Sequence, residues 1–252
     1  MAWRVFCETE QTRQYFVKFR HSDPAKFVVS GFPKLRRLLR ARDEAEVWPI
    51  QDAGGRRFRV IWAPHFSVGT DWLGFGVFGA IHQEFLAWAR ERSDIDFVLK
   101  PHPALFNYAV KEGVISKPAL EDYLTQWCSL PNCALETETY AHLFAASDMM
   151  VTDGISFLTE YQIFDKPLVY FDSNRHVPLN ALGDAALASS HIVRTFQEMT
   201  AAIEHYAKGK VWSFDAERQE LLALLFPREC EAVDIILDTI AEGLAGNQRE
   251  VS

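Results

Sequence analysis

Four short polar segments combine residue types suited to phosphate-ester chemistry. The first is Trp62-Ala63-Pro64-His65-Phe66-Ser67-Val68-Gly69, where a histidine follows an apolar run directly. Imidazole titrates near neutral pH, so His65 is a candidate general base, or else a loop histidine with a local partner. The second is Lys100-Pro101-His102-Pro103. Two prolines fix the backbone around His102. A rigidly held cationic pair, Lys100 and His102, suits a phosphate or a leaving-group oxyanion. The third runs from Thr152 through Asp153, Gly154 and Ser156 to Glu160. Gly154 lets a ligand approach the backbone closely. Ser156 is an N-cap or a phosphate-facing hydroxyl, and a helix starting there offers free amides and a positive dipole end to a diphosphate. Glu160 follows Ser156 by four residues on the same helix face and can accept hydrogen bonds from ribose hydroxyls. The fourth, Asp172-Ser173-Asn174-Arg175-His176, offers Arg175 or His176 to a phosphate.

Each segment follows a short apolar run bounded by Gly, Pro or Asp. Strands are expected at Phe27–Ser30, Arg57–Ala63, Asp96–Lys100, Met149–Thr152 and Lys166–Phe171. Their lack of alternation is the pattern of strands covered on both faces. Between them lie helical patterns. Phe78–Arg92 places Phe78, Ile81, Phe85, Trp88 and Ala89 at spacings of three and four. Further helices are expected at Pro118–Cys128, Tyr140–Ala146, Ser156–Phe164, Phe196–Ala207, Ala216–Phe226 and Glu231–Leu244. Alternating strands and helices predict an α/β protein with a Rossmann-like parallel sheet flanked by helices. Ligands of such sheets bind beyond the carboxyl ends of the strands, where the four polar segments fall. Residues 41–56 read as a polar insertion with a Gly54-Gly55 turn, and the segment after Gly246 as a frayed end.

Composition narrows the partners. The chain has 252 residues, 48% hydrophobic and 24% charged, which is ordinary globular usage. Its net charge is −8, from 26 basic and 34 acidic residues. That argues against nucleic acid as a partner, which needs a dense basic face. No run of about 18 apolar residues exists to span a membrane, and the N-terminal segment lacks the apolar core of a secretory signal. The four cysteines form no CxxC pair, which disfavours zinc-ribbon and thioredoxin-like sites and suggests free thiols in a reducing cytosol. The Walker pattern GxxxxGK[ST] is missing. Gly74-Phe75-Gly76-Val77-Phe78-Gly79 matches GxGxxG literally, but about ten loop residues separate it from the preceding strand, where a dinucleotide fingerprint follows its strand at once. NAD or FAD binding is therefore disfavoured, and the glycines suggest a flexible loop over the site.

The ordered motifs resemble those of the CDP-glycerol glycerophosphotransferase family, which includes teichoic acid and capsule polymerases. The carriers are FVLKPHPALF (Phe97–Phe106), Tyr123–Thr137 with Asn132, and SDMMVTDGISFLTEYQIFDKPLVYF with Ser147-Asp148, Thr152-Asp153, Ser156, Glu160-Tyr161 and Lys166-Pro167. Upstream, Val28–Arg36 is similar to the family's PKLD segment, and WAPH to its strand end. The likeness covers most of residues 5–175. It departs at Ile155, which stands where the family has the first serine of a pair, and at Arg36, which stands for the aspartate of PKLD.

The resemblance implies the nucleotide-donor half of a two-domain GT-B fold. Residues 1–252 would form a single donor-binding domain, with 1–26 as a crossover segment and 229–246 as a C-terminal helix. It implies His65 and His102 as catalytic residues and Lys100, Asp153, Gly154, Ser156, Glu160 and Arg175 as the donor-binding set, with His102 and Ser156 on the donor's phosphates and Glu160 on its ribose. The implied reaction is transfer of glycerol- or ribitol-phosphate from a CDP-polyol to a hydroxyl of a glycan or polyol-phosphate acceptor. His65 would take the acceptor's proton, with no cofactor and at most weak divalent-metal assistance. The alternatives are a glycosyltransferase using a nucleotide sugar, and a nucleotide-binding half that is inactive without a partner domain. The length suits one half of a catalytic cleft, so a separate acceptor domain is expected. The expected location is cytoplasmic, at most peripheral to the inner face of the membrane.

Overall fold

The computed structural model describes residues 2–20, 23–44, 47–51, 54–138, 140–226 and 232–249. Among the described residues the elements follow in chain order: β1 (Val5–Cys7), α1 (Glu10–Arg20), β2 (Phe27–Val29), α2 (Leu35–Arg42), β3 (Phe58–Ala63), α3 (Phe78–Glu91), β4 (Ile95–Leu99), α4 (Leu105–Lys111), α5 (Lys117–Ser129), β5 (Cys133–Leu135), α6 (Ala141–Ala146), β6 (Met149–Thr152), α7 (Ile155–Glu160), β7 (Leu168–Phe171), α8 (Ala181–Ala188), β8 (His191–Val193), α9 (Phe196–Ala207), α10 (Asp215–Leu225) and α11 (Ala232–Arg249). No described helix is long and apolar enough to cross a membrane.

The chain divides into two compact units, 38–218 and 1–37 with 219–252. In the second of these, β1 and β2 pair in parallel as a separate two-stranded sheet. Phe16 of α1 stacks on Phe27 at 5.8 Å, and the Trp3 ring lies against Gly243 of α11, where a methyl group would collide with it. The strand expected at Phe27–Ser30 therefore exists, but its partner is Val5–Cys7 and it takes no place in the larger sheet.

The unit 38–218 holds a six-stranded, wholly parallel sheet in the order β5-β4-β3-β6-β7-β8. Alternate residues serve opposite faces, as the period of a strand requires. Val60, Trp62, Phe97, Leu99, Met149, Val151, Val169 and Phe171 join the core made with α3, α5 and α9. Their neighbours Ile61, Val98, Met150, Leu168 and Tyr170 are equally buried from the other side. That double coverage is why these strands read as unbroken apolar runs. Trp62 anchors the first face, its ring parallel to Phe85 at 4.4 Å. On α3, Phe78, Ile81, Phe85 and Ala89 are buried at helical spacing.

Several residues of the recognisable motifs hold this scaffold. The Asn132 amide donates to the carbonyls of Ala89, Arg92 and Ile95. Lys166 Nζ donates to the carbonyls of Phe144, Ala145 and Ser147 at the end of α6. Asp148 takes a bidentate pair from Arg56 and the Arg59 amide. Asp96 is buried and accepts from Trp48 Nε1 while pairing with Arg57. Cys7, Cys128 and Cys133 are free thiols, while Cys230 lies outside the described residues.

The segment expected to be a flexible loop is packed instead. Phe75, Gly76 and Val77 are buried. A methyl group on Gly76 would lie 2.8 Å from the Ser67 carbonyl oxygen and 3.0 Å from that of His65. Neither backbone atom can swing aside, so Gly76→Ala should lower stability by about 1–3 kcal/mol. Gly54→Ala meets open space and should leave stability within about 0.5 kcal/mol. Chemical denaturation of the two variants measures the contrast; equal effects would refute the packing account.

Candidate active site

The strand order reverses between β3 and β6: β4 and β5 lie to one side, β7 and β8 to the other. A crevice opens at such a point beyond the carboxyl ends of the two strands, the usual ligand position of open α/β sheets. The residue after β4 is Lys100, the loop after β3 carries His65, and the loop after β6 carries Asp153 and Gly154. The topology thus gathers three of the four polar segments. His65 and His102 approach to 5.6 Å between ring centroids, and Gly154 lies against the His65 ring, where a methyl group would sit 3.2 Å from Cδ2.

Lys100 is 3% exposed and makes no side-chain hydrogen bond or ion pair among the described residues. Burial pushes its pKa below the ordinary lysine value, opposed by the Glu136 carboxylate after β5. Its charge in turn adds to the burial that lowers the His102 pKa. His65 falls to about 4, first through burial and then through His102, with Asp71 acting in the opposite sense. Both imidazoles are therefore neutral near pH 7.

Asp153 is 1% exposed and faces inward. Its Oδ1 accepts from the His65 amide at 2.5 Å and its Oδ2 from the Val77 amide at 2.7 Å. Val77 precedes α3, whose start has no side-chain cap of its own. The carboxylate therefore binds two loops together. Gly154 is the N-cap of α7 in extended conformation, φ −109°. Ser156, at the second position of α7, is exposed, whereas Glu160 at its end is buried at 6% exposure. Four residues apart on the same helix, the two side chains thus differ in burial. Arg175 is exposed, and its backbone carbonyl closes on Gly74 so that a methyl group there would lie 2.5 Å away. Gly74 sits at φ +67°, a conformation that favours glycine. Ser173 Oγ donates to the Gly74 carbonyl, and the His176 ring stacks on Phe75 at 4.9 Å. The loop after β7 is thus tied to the loop after β3.

Ser67 lay inside the first segment without an assigned role. It is 2% exposed, and its Oγ accepts from the Phe75 and Gly76 amides while lying 2.8 Å from His65 Nδ1. The spacing His-x-Ser at a strand end was the available signal. Its meaning depends on residues 75–76 folding back over it.

A wholly parallel six-stranded sheet flanked by helices defines a Rossmann-like α/β protein, with Lys100, His65 and His102 gathered at the reversal point of the sheet. The chain belongs to the CDP-Glycerol:Poly(glycerophosphate) glycerophosphotransferase family, whose model matches residues 5–220. No curated protein matches it in sequence. Among solved structures it is similar to the wall teichoic acid polymerase TagF, at 15% identity and TM-score 0.55, covering 98% of this chain and 59% of that one. It is also similar to UDP-GlcNAc 2-epimerase from Neisseria meningitidis, at 15% identity and TM-score 0.56, covering 96% and 61%. A putative UDP-N-acetylglucosamine 2-epimerase from Listeria monocytogenes gives 13% identity and TM-score 0.58, covering 96% and 59%. The chain spans about three fifths of the length of each of these structures.

Proposed function

We propose that residues 38–218 bind the diphosphate of a CDP-linked polyol, and that the chain serves the transfer of glycerol- or ribitol-phosphate to a hydroxyl acceptor in teichoic acid or capsule polymer synthesis. The observation that carries the reading is Lys100, a buried lysine with no side-chain hydrogen bond or close ion pair among the described residues and only the Glu136 carboxylate acting on it from a distance, together with two neutral histidines at the reversal point of the sheet. A charge so desolvated is tolerated where a ligand supplies the counter-charge. Family membership supplies the donor class. Proteins of related fold include a TagF H444N variant soaked with CDPG and an epimerase bound to UDP-GlcNAc, which supports a ligand of this kind.

In the proposed reaction the acceptor oxygen forms a bond to the β-phosphorus. The bridging P–O bond breaks, CMP leaves with the bridging oxygen, and the acceptor's proton passes to solvent. Such transfer is mostly positioning and charge stabilisation. Lys100 matches the diphosphate charge, the exposed Ser156 hydroxyl reaches a phosphate oxygen, and the acceptor is presented by a separate domain. The chain itself reaches its acceptor as a peripheral protein at the inner face of the membrane.

Calorimetric titration of the purified chain with CDP-glycerol, CDP-ribitol and UDP-GlcNAc tests the reading, followed by assay for CMP release with a polyol-phosphate acceptor. Preferential binding of a CDP-polyol is expected. Preference for UDP-GlcNAc would move the assignment to a nucleotide-sugar enzyme, and binding without CMP release would leave a donor-binding half dependent on a partner domain.

A further inference from the structure

The two histidines share a local device. At i+2 from each, a backbone amide donates to the ring: Ser67 N–H to His65 Nδ1 at 3.2 Å, and Ala104 N–H to His102 Nδ1 at 3.1 Å. An amide N–H can only donate, so each Nδ1 must be the lone-pair nitrogen. At His65 the serine hydroxyl adds a second donor. Its oxygen already accepts from the Phe75 and Gly76 amides, which leaves its own hydrogen for Nδ1 at 2.8 Å. A neutral ring with Nδ1 occupied in this way carries its hydrogen on Nε2. Neither Nε2 has a hydrogen-bond partner among the described residues. A general base at His65 would need the opposite tautomer, with Nδ1–H directed at an amide N–H.

We propose that Ser67 is the positioning residue that holds His65 in the Nε2–H tautomer, so that His65 joins His102, whose phosphate contact the family resemblance implies, as a neutral donor to the oxygens of a diphosphate. Only the identity of the ligand rests on the donor-binding reading above; the tautomers belong to the chain alone. With Lys100 beside them, the pair offers hydrogen bonds without adding two further buried charges. This also accounts for Phe66, which packs on both rings, at 4.4 Å from His65 and 4.6 Å from His102, and holds their spacing.

Long-range proton–nitrogen NMR of the 15N-histidine-labelled chain at pH 7 decides the matter without any turnover. The expected spectrum shows unprotonated Nδ1 and protonated Nε2 at both residues, with both Nε2–H resonances moving on addition of inorganic pyrophosphate. Nδ1–H at His65 would overturn the proposal and restore the base. Resonances unmoved by pyrophosphate would overturn the oxyanion role. In Ser67→Ala the neutral ring loses one hydrogen bond while the amide remains, so the His65 titration midpoint should rise by about half to one pH unit. An unchanged midpoint in the folded variant would remove Ser67 from the proposal. The wild-type spectrum still decides the tautomer if that variant does not fold. Loss of CDP-polyol binding with these tautomers intact would count against the functional reading alone.

Discussion

Lys100→Met is expected to make the protein more stable and its donor site markedly weaker. Methionine keeps a long unbranched stem, so the volume beside Pro101 changes little. What disappears is a charge held at 3% exposure without a hydrogen bond or ion pair among the described residues. Leaving a buried polar group unmatched costs about 1–3 kcal/mol, of which the Glu136 carboxylate offsets a part here. Relief of that cost should raise Tm by roughly 2–4 °C per kcal/mol for a chain of this size. On the ligand side, a hydrogen bond to a charged group contributes about 1.5–3 kcal/mol. Affinity for CDP-glycerol should therefore fall about 10- to 100-fold. Scanning calorimetry and isothermal titration on the same preparations read both effects. A lower Tm would show that Lys100 is structurally satisfied, and unchanged affinity would remove it from the site.

The alkaline limb gives an independent check. The folded lysine holds its proton less tightly than the ordinary value of 10.5, because burial disfavours the charged form. Just below that value the unfolded chain binds more protons than the folded one, so stability rises with pH across that window. Lys100→Met lacks the group and should lose this slope.

Much of this site was legible because strands buried on both faces leave unbroken apolar runs, and their ends are easily found. The runs ending at Ala63, Leu99, Thr152 and Phe171 fall within two residues of expectation. Segments too short to show a period escaped. β5 and β8 are three-residue strands, and α4 and α8 are helices of seven and eight residues. Without β5 and β8 the strand order could not be written, and the reversal between β3 and β6 that makes the crevice was invisible. It is a property of long-range pairing and not of any local stretch. The same holds for burial. Nothing about Lys100-Pro101 in sequence distinguishes a buried ammonium from a solvated one. Ser67 gains its role only when Phe75 and Gly76 fold back onto it. The glycine-rich segment misled for a related reason: glycine marks either freedom or close approach, and here Gly74 and Gly76 mark close approach. The family motifs, read as one functional set, separate in space into Asn132, Asp148 and Lys166, which hold the scaffold, and Lys100, His102 and Gly154 at the crevice.

Asp153 lies between these two groups, and its replacement should be the most disruptive for the fold of the site. Its oxygens hold the amides that open the His65 loop and α3. In Asp153→Asn one oxygen becomes an NH2 group facing an amide donor, and one of two buried bonds turns repulsive. A loss of about 1–3 kcal/mol follows, along with displacement of His65 and loss of donor binding. The pH dependence has a definite sign. Burial raises the Asp153 pKa from 3.8 to about 7, outweighing the two amide bonds that favour the ionised form. Between those values the folded chain binds more protons than the unfolded one. Its stability therefore falls as pH rises through that range, whereas the asparagine variant has no such term. The stability difference between wild type and Asp153→Asn should thus shift in favour of the asparagine variant as pH rises from about 4 toward 8. Urea denaturation of both proteins across that range measures it. A shift in favour of wild type as pH rises would mean that the two amides and the start of α3 hold the carboxylate ionised more strongly than burial opposes it. Asp153 would then be a permanent anion under the His65 loop, which would favour a charged imidazolium above it over the neutral donor.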